Sequence, residues 1–372
     1  MARRARGGGQ ERRLLEDSGI PGRPSAVGTV DGRWLLRGRD GRLTAYALGR
    51  EGLLRWTEER PGGPEWTGPD LLPAPEVSRL SVAQGPDGYA HFVGRRERVR
   101  PSDGVPVVDI VHAVQYQTGR PLGPWHSAGN PYKDPEVGRR IGEPVAAVSG
   151  SGGLYVFLRN AGGGVTMRTD APRGKWGLWK DIRGNKAQDG FAAVTGAEGR
   201  IELLAPGQGP AMRWWQTEPD GEMQRTPNIH LAAAPRSLTA LETAPGSITY
   251  FWTDAAGGGL MAHRPGGWMI PLGGRAADGR IAALRALLDG YDCTVLAHRG
   301  PDGQVVVGVC GTEYEGAGMW WSPLGEHGTG DPALAVDAYG RVVLAWLGDD
   351  GRVRVARQKP EAGLAMERPV QL

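Results

Sequence analysis

The residues in this chain best suited to hold a ligand are its tryptophans, 13 among 372 residues. The flat apolar face of an indole fits the C–H side of a pyranose, while polar neighbours bind the hydroxyls. The same rings also pack well between layers of sheet, so each tryptophan admits a structural reading beside the binding one. Trp214 and Trp215 are adjacent on an expected strand. Their side chains therefore point to opposite faces, and one can be core while the other is exposed.

Residues for covalent or metal chemistry form no comparable constellation. Glycoside hydrolysis needs two carboxylates, one acid and one base or nucleophile, at a set separation. Asp31, Asp87, Asp289 and Asp337 stand near turns, where aspartate is favoured for backbone reasons alone. His91, His112, His126, His230, His263, His298 and His327 are scattered over different units of the chain. They show none of the paired spacings of zinc sites, and no G-x-x-x-x-G-K-[ST] phosphate loop occurs. The sequence thus predicts no catalytic residues, no metal and no cofactor.

What must position the tryptophans is a repeat. Glycine-marked turns between β-rich runs recur at Gly32, Gly88, Gly153, Gly199, Gly246, Gly290 and Gly340, spaced 56, 65, 46, 47, 44 and 50 residues apart. A unit of that size holds about four short strands and is too small to bury its own core. The spacing predicts an all-β chain, a single seven-bladed β-propeller of four-stranded antiparallel blades. Their expected bounds are residues 25–75, 76–142, 143–188, 189–234, 235–278, 279–330 and 331–372, after a basic N-terminal tail at 1–24. In unit three the strands a to d fall at 144–149, 154–159, 164–169 and 176–182; in unit seven they fall at 333–336, 341–347, 352–357 and 366–372. Runs such as Tyr155-Val156-Phe157-Leu158 are apolar on both faces, as strands sandwiched between neighbouring blades must be. Asp40-Gly41, Asp302-Gly303 and Asp350-Gly351 read as turns between strands b and c. Residues 281–288 have helix-like apolar spacing, but their place in the repeat makes them strand a of unit six. Unit two carries the longest departures, a polar loop at 95–106 and an extended exit at 131–142.

Composition narrows the remaining possibilities. Glycine (61) and proline (29) are abundant, yet apolar residues make 40% of the chain and the glycines sit between β-branched runs, as turns require. The formal charge of +3 is concentrated in the arginines of residues 1–13, so the body is close to neutral and carries no electrostatic footprint for nucleic acid. No apolar stretch approaches the roughly 18 residues of a membrane span. The N-terminus has no apolar segment of a signal peptide, which points to the cytoplasm, or to secretion if the chain is trimmed or exported with a partner. Cys293 and Cys310 are equally far from the centre of the turn at 300–303. A regular hairpin would oppose them closely enough for a disulfide; a longer loop would leave two buried free thiols.

The segments after strand c carry a family resemblance: Arg55-Trp56 with Trp66; His112-Ala113-Val114-Gln115-Tyr116-Gln117 with Trp125; Trp176-Gly177-Leu178-Trp179; Arg213-Trp214-Trp215-Gln216; His263 with Gly267-Trp268 and Leu272-Gly273-Gly274; Trp320-Trp321-Ser322-Pro323-Leu324-Gly325. The chain resembles the bacterial seven-bladed propeller lectins of the tectonin and Photorhabdus-lectin type, whose blades end in W-x-x-W-x-x-L-G. The resemblance implies non-catalytic binding of a glycan or glycoconjugate in clefts between blades, on aromatic residues flanked by His, Arg, Gln or Asn. The matching positions are Trp56; His112 with Gln115 and Tyr116; Trp214 and Trp215 with Gln216; His263 with Trp268; and Arg357 with Gln358. Their neighbourhoods differ from unit to unit, so a few non-equivalent sites are expected. Two other functions stay open: a protein partner, with the chain as a targeting subunit of a larger bacterial assembly, and a glycoside-active enzyme with carboxylates at the axis. An apolar patch around 95–106 would favour the first, converging carboxylates the second.

Overall fold

The computed structural model describes residues 24–170 and 175–372; the arginine-rich stretch 1–13 lies outside them. The repeat is visible first in its turns. In blades 1, 2, 3, 4 and 7 the turn between strands a and b is closed by one pattern, in which Gly41, Gly88, Gly152, Gly199 and Gly340 each donate a backbone N–H to the carbonyl three residues back, at 2.8–3.1 Å. These glycines have φ between +77° and +91°, a conformation that side chains oppose and glycine does not. Blade 6 uses the two-residue turn Asp289-Gly290, with φ of +53° and +81°, the Asp-Gly form that matches strand twist.

Two of the expected turn glycines are thereby corrected. The third turn pivots on Gly152, not Gly153. In blade 1 the a-to-b turn is Asp40-Gly41, which the sequence assigned to strands b and c, while Gly32 lies in no turn. With Gly41 and Gly152 in place the spacings become 47, 64, 47, 47, 44 and 50, more regular than the sequence count.

Seven sheets follow in chain order, and the strands a to d of each blade are antiparallel and in sequence order from the axis outward. Blade 2 consists of Val77–Gln84, Ala90–Val99, Pro106–Gln115 and His126–Gly129; blade 3 of Val145–Val148, Leu154–Arg159, Val165–Thr169 and Lys180–Asp181. Blade 4 runs Ala192–Thr195, Ile201–Ala205, Met212–Gln216, Met223–Arg225, and blade 5 Thr239–Ala244, Ser247–Thr253, Gly259–His263, Met269–Arg275. Blade 6 runs Ala282–Leu288, Tyr291–Arg299, Gln304–Gly311, Trp320–His327, and blade 7 Thr329–Val336, Val342–Leu347, Val353–Arg357, Val370–Gln371. The b strands Ile201–Ala205 and Val342–Leu347 are buried along their whole length, as packing on both faces demands. In blade 2 half of the expected polar loop is sheet, because strands b and c extend to ten residues each and leave 100–105 outside. Its exit contains a one-turn helix, Pro135–Gly138, capped by Asp134.

Blade 1 departs from the pattern at the axis. Its strands b, c and d are Leu43–Leu48, Gly52–Glu58 and Trp66–Pro73, but its inner strand is split into Gly28–Thr29 and Leu35–Arg37. Between the two halves Asp31–Gly32 leaves the blade and pairs in parallel with strand a of blade 2. Only glycine fits at position 32: φ is +89°, and a Cβ would stand 2.7 Å from the Val82 carbonyl oxygen. The excursion delivers Asp31 to Arg280 at the start of blade 6, which it binds with both carboxylate oxygens at 2.8 and 3.1 Å. Arg280 also donates to the carbonyls of Leu238 (2.6 Å) and Phe191 (3.2 Å) at the starts of blades 5 and 4. One guanidinium thus crosses the axis and ties four blades.

The register of blade 6 excludes the disulfide. Cys293 is opposite Gly311 and Thr294 opposite Cys310, so the two thiols point to opposite faces of the sheet. The cause is the turn, where Gly303 at φ +85° donates to the Gly300 carbonyl and adds an odd residue to one arm. Both cysteines are free and buried, and burial pushes Cys310 up to about 12.

Blade 7 is built wholly from C-terminal strands, so no strand is exchanged across the junction with blade 1. The seam is held instead by Arg357, whose guanidinium meets Glu58 at 2.5 Å with both side chains buried, by Arg341 on the Gly62 carbonyl at 2.7 Å, and by the Trp34 indole N–H on the Asp331 carbonyl at 3.0 Å. Replacing one member of a buried pair strands the other charge, at a cost of about 3–5 kcal/mol. Arg357→Met is therefore expected to lower the unfolding free energy by about 3 kcal/mol or more in a urea titration, whereas a loss confined to ligand binding would contradict the seam role.

Candidate functional site

The site is built at the ends of the c strands, where a second repeat emerges. The last residue of strand c, or the one after it, turns its side chain back to the first residues of strand b. Leu43 N–H donates to Glu58 (2.8 Å), Leu154 to Asp170 (2.7 Å), Ile201 to Gln216 (2.8 Å) and Val342 to Gln358 (3.1 Å). The amide groups of Gln115, Gln216 and Gln358 each donate to the carbonyl five residues on, those of Arg120, Gly221 and Gly363, at 2.7–2.9 Å. These three glutamines, read from the sequence as ligand candidates, hold the c-to-d connections in place.

Other candidates are also spent inside the fold. Trp214 is fully buried with its N–H on the Ile182 carbonyl at 2.9 Å and the Arg225 guanidinium 4.5 Å above its ring. Trp56, His112, His263 and Arg357 are buried as well. Three aromatic candidates reach solvent. Trp268 is 90% exposed, Tyr116 58%, and Trp215 is half-buried.

Trp215 lies in the cleft between blades 4 and 5. Strand alternation sends Trp214 into the core and Trp215 outward, where Arg200 and Arg213 approach its ring at 5.9 and 5.8 Å. Arg213 is fixed by Glu202 through two bonds of 2.7 and 2.8 Å, and the Tyr250 hydroxyl donates to the same carboxylate. Burial lowers the Arg213 pKa, but the hydrogen bonds and charges of Glu202 and Tyr250 together outweigh it, and the net shift is upward. The cleft, with Glu242 at its blade 5 side, encloses only about 20 Å³, room for about one water.

The junction of blades 5 and 6 carries exposed aromatic rings. From blade 5, Arg264 binds Glu315 at 2.8 Å and Glu313 at 3.3 Å on blade 6, and Glu313 accepts from Thr243 and Ser247 at 3.1 and 3.2 Å. These bonds pin the short 3-10 turn Glu315–Ala317, beside which Tyr314 and Trp320 project at 74% and 80% exposure. Trp321, one residue on, packs inward with its N–H on the Leu272 carbonyl at 2.9 Å. Trp268 stands at the tip of the adjoining blade 5 hairpin.

The exposed rings share a side of the ring. Tyr116, Trp268, Tyr314 and Trp320 lie in or beside c-to-d connections, Tyr291 and Tyr339 at a-to-b turns, and all these connections open on one face. Toward the other face the exposed large apolar side chains are aliphatic, Val27, Leu71, Val99 and Val370 among the described residues. Around 95–106 the surface is ionic, with Arg95–Glu97, Arg96–Asp109 and Arg100–Asp103 pairs, and not the apolar patch that would mark a docking loop.

Sequence reading treated the histidines as scattered, yet three belong to blade 2. His91, His112 and His126 sit on adjacent strands and face blade 3. His91 Nδ1 is 3.3 Å from His112 Nε2, the rings are stacked at 5.5 Å, and Trp176 meets His112 edge-on at 5.7 Å. Their separations of 21 and 14 residues are hairpin distances. Among the described residues no group of three His, Cys, Asp or Glu could hold a metal ion. Burial depresses His91 to about 4 and His112 to about 3, the latter also through the charges of His91 and His126.

Each of these two histidines is neutral in the fold and takes up a proton near pH 6.5 when unfolded. Their contribution to stability is complete above that value and is lost as pH falls toward the folded values, by up to about 1.4 kcal/mol per pH unit for each. Urea midpoints between pH 7 and pH 4 should fall steeply, and His112→Gln should flatten the slope by about one proton. An unchanged slope would show that the pair does not titrate on unfolding.

No protein-family model matches the chain, and no curated protein matches it. Solved structures do. The BP39L lectin from Burkholderia pseudomallei aligns with a TM-score of 0.65 at 13% identity, over 92% of this chain and 99% of its own. A PL25 ulvan lyase aligns at 0.54 and 12%, covering 90% and 93%, and the NanB sialidase from Streptococcus pneumoniae at 0.51 and 10%, covering 80% and 68%. At such identities the likeness is one of fold.

Proposed function

We propose that the protein is a non-catalytic, carbohydrate-binding propeller of the tectonin and Photorhabdus-lectin kind, with its binding surface at the junction of blades 5 and 6. The observation that carries this reading is the exposure of Trp268, Tyr314 and Trp320 beside the ordered Arg264–Glu313–Glu315 network. Flat apolar rings next to fixed donors and acceptors are what a pyranose requires. Fully exposed tryptophans give the fold nothing in return for being there, since burial is what makes an indole stabilising. Trp215, flanked by Arg200 and Arg213, is a second, narrower contact. The neighbouring lectin supports the reading through its shared architecture.

The axis supports it too. A glycosidase needs a pair of carboxylates there, whereas Asp31 is the one carboxylate lining the channel among the described residues and is bound to Arg280. Asp337 is likewise occupied, accepting from the backbone of Tyr339 and Arg341 and from the Arg341 side chain.

A glycan array run beside a pull-down tests the proposal. Glycan hits that fall about tenfold or more in affinity in Trp268→Ala, with an unchanged urea midpoint, are the expected result, and Trp215→Ala should give a smaller loss. Silence on the array with a specific protein captured would replace the lectin by a protein-binding scaffold using the same face.

A further inference from the structure

The axial channel holds a positive charge that the ring does not use. It encloses about 380 Å³, within the range of small-molecule sites. Its wall is made by the inner strands and is largely aliphatic, with Val82, Ala147, Val194, Ala283 and Ala335 among its residues. Four charged side chains line it: Asp31, Arg33, Arg37 and Arg280. Asp31 and Arg280 neutralise one another, and Arg37 reaches the Asp337 carbonyl at 3.1 Å.

Arg33 has no hydrogen bond and no ion pair in the described structure. Its side chain is open to the water of the channel, at the centre of the ring. A guanidinium so placed faces the water of the channel with no anion beside it. Its place is also enforced. On one side Gly32 is locked against the Val82 carbonyl and Asp31 is clamped by Arg280; on the other Trp34 is fully buried with its N–H on Asp331. Arg33 therefore belongs to a braced excursion that the ring builds only in blade 1.

We propose that the axial channel is a binding site for a small carboxylate, with Arg33 gripping the anion and the aliphatic wall holding an apolar body. The planar guanidinium offers two parallel N–H donors to a carboxylate. The surplus of positive charge draws anions inward, and entry is from the aromatic face, since Arg280 crosses the opposite mouth. This site is separate from the proposed glycan surface, because neither Trp268 nor Trp215 lines the channel.

Calorimetric titration of the full chain with phenylacetate and with phenylacetamide, which share a body and differ in charge, decides the matter. The acid should bind about tenfold or more tightly than the amide and weaken as salt is raised. Arg33→Met should abolish that preference, Arg33→Lys should keep part of it, and Arg60→Met, on the rim of blade 1, should leave it intact. Should Arg33→Met fail to fold, the graded loss in Arg33→Lys carries the comparison. Equal binding of acid and amide, no binding of the acid, or a preference that survives at position 33 without a positive charge would each overturn the proposal.

Discussion

The seam between blades 7 and 1 is the constraint on which the ring depends. Six of the seven junctions are linked by the chain, so adjacent blades stay near one another even when their contacts loosen. The seventh has no such link, and no strand crosses it to supply a ladder of backbone bonds. Its partners are nearly 300 residues apart in sequence, as with Arg357 and Glu58, so the entropy of closing the whole chain falls on this one interface. An apolar seam would serve for stability, since a buried ion pair is no stronger than good packing. What the pair adds is discrimination. Glu58 stands where blades 2, 4 and 7 carry glutamine, and only there does the cap also face an arginine from the far end of the chain. Blade 7 therefore meets blade 1 with a charge that the other caps do not offer.

The axis solves a related problem by different means. Small inner strands cannot fill the centre of a seven-fold ring, and the channel that remains has little to keep the blades in register across it. Arg280 bridges that space with donors to blades 1, 4 and 5. For this to happen blade 1 must interrupt its inner strand, and the interruption is possible only with glycine at 32. The broken strand, the parallel pairing with blade 2 and the presence of Arg33 in the channel are thus one device with several consequences.

Much of the architecture was legible in the sequence because positive φ is chemically expensive for every residue except glycine, which makes turns periodic in a way that can be counted. The errors have local causes. Blade 1 contains two glycines that fit the pattern, and the nearer one to the N-terminus serves the axis, so counting alone chose Gly32 over Gly41. The cysteine pairing stayed open in the sequence because a bulged turn shifts register by one residue without changing the apparent symmetry of the sequence, and the observed register selects the free thiols. Gln115, Gln216 and Gln358 could not be told from sugar-binding residues, since the end of strand c calls for a donor and acceptor in either case. The histidine ladder was hidden by sequence separation, which is large along a hairpin and short across it. Of the candidate tryptophans, Trp268 is exposed and Trp215 half-buried, while the exposed Trp320 and Tyr314 were not among the candidates, because which member of a pair such as Trp320-Trp321 the strand turns inward is not written in the sequence.

The division of labour among blades follows from these choices. Strand b is buried from both sides and has no freedom to vary except in size. The c-to-d connections bear no such load once a single cap residue holds their base, so their tips can change without disturbing the ring. Yet the caps differ: blades 2, 4 and 7 use glutamine, blades 1 and 3 an acid, and at the corresponding position blades 5 and 6 have Pro265 and Thr312. Without a long polar cap, the 5/6 junction is braced instead by Arg264 and two glutamates reaching between blades. That network lies at the surface, and the exposed rings gather around it. The blades that departed furthest from the internal cap are the ones whose connections carry the exposed rings Trp268, Tyr314 and Trp320.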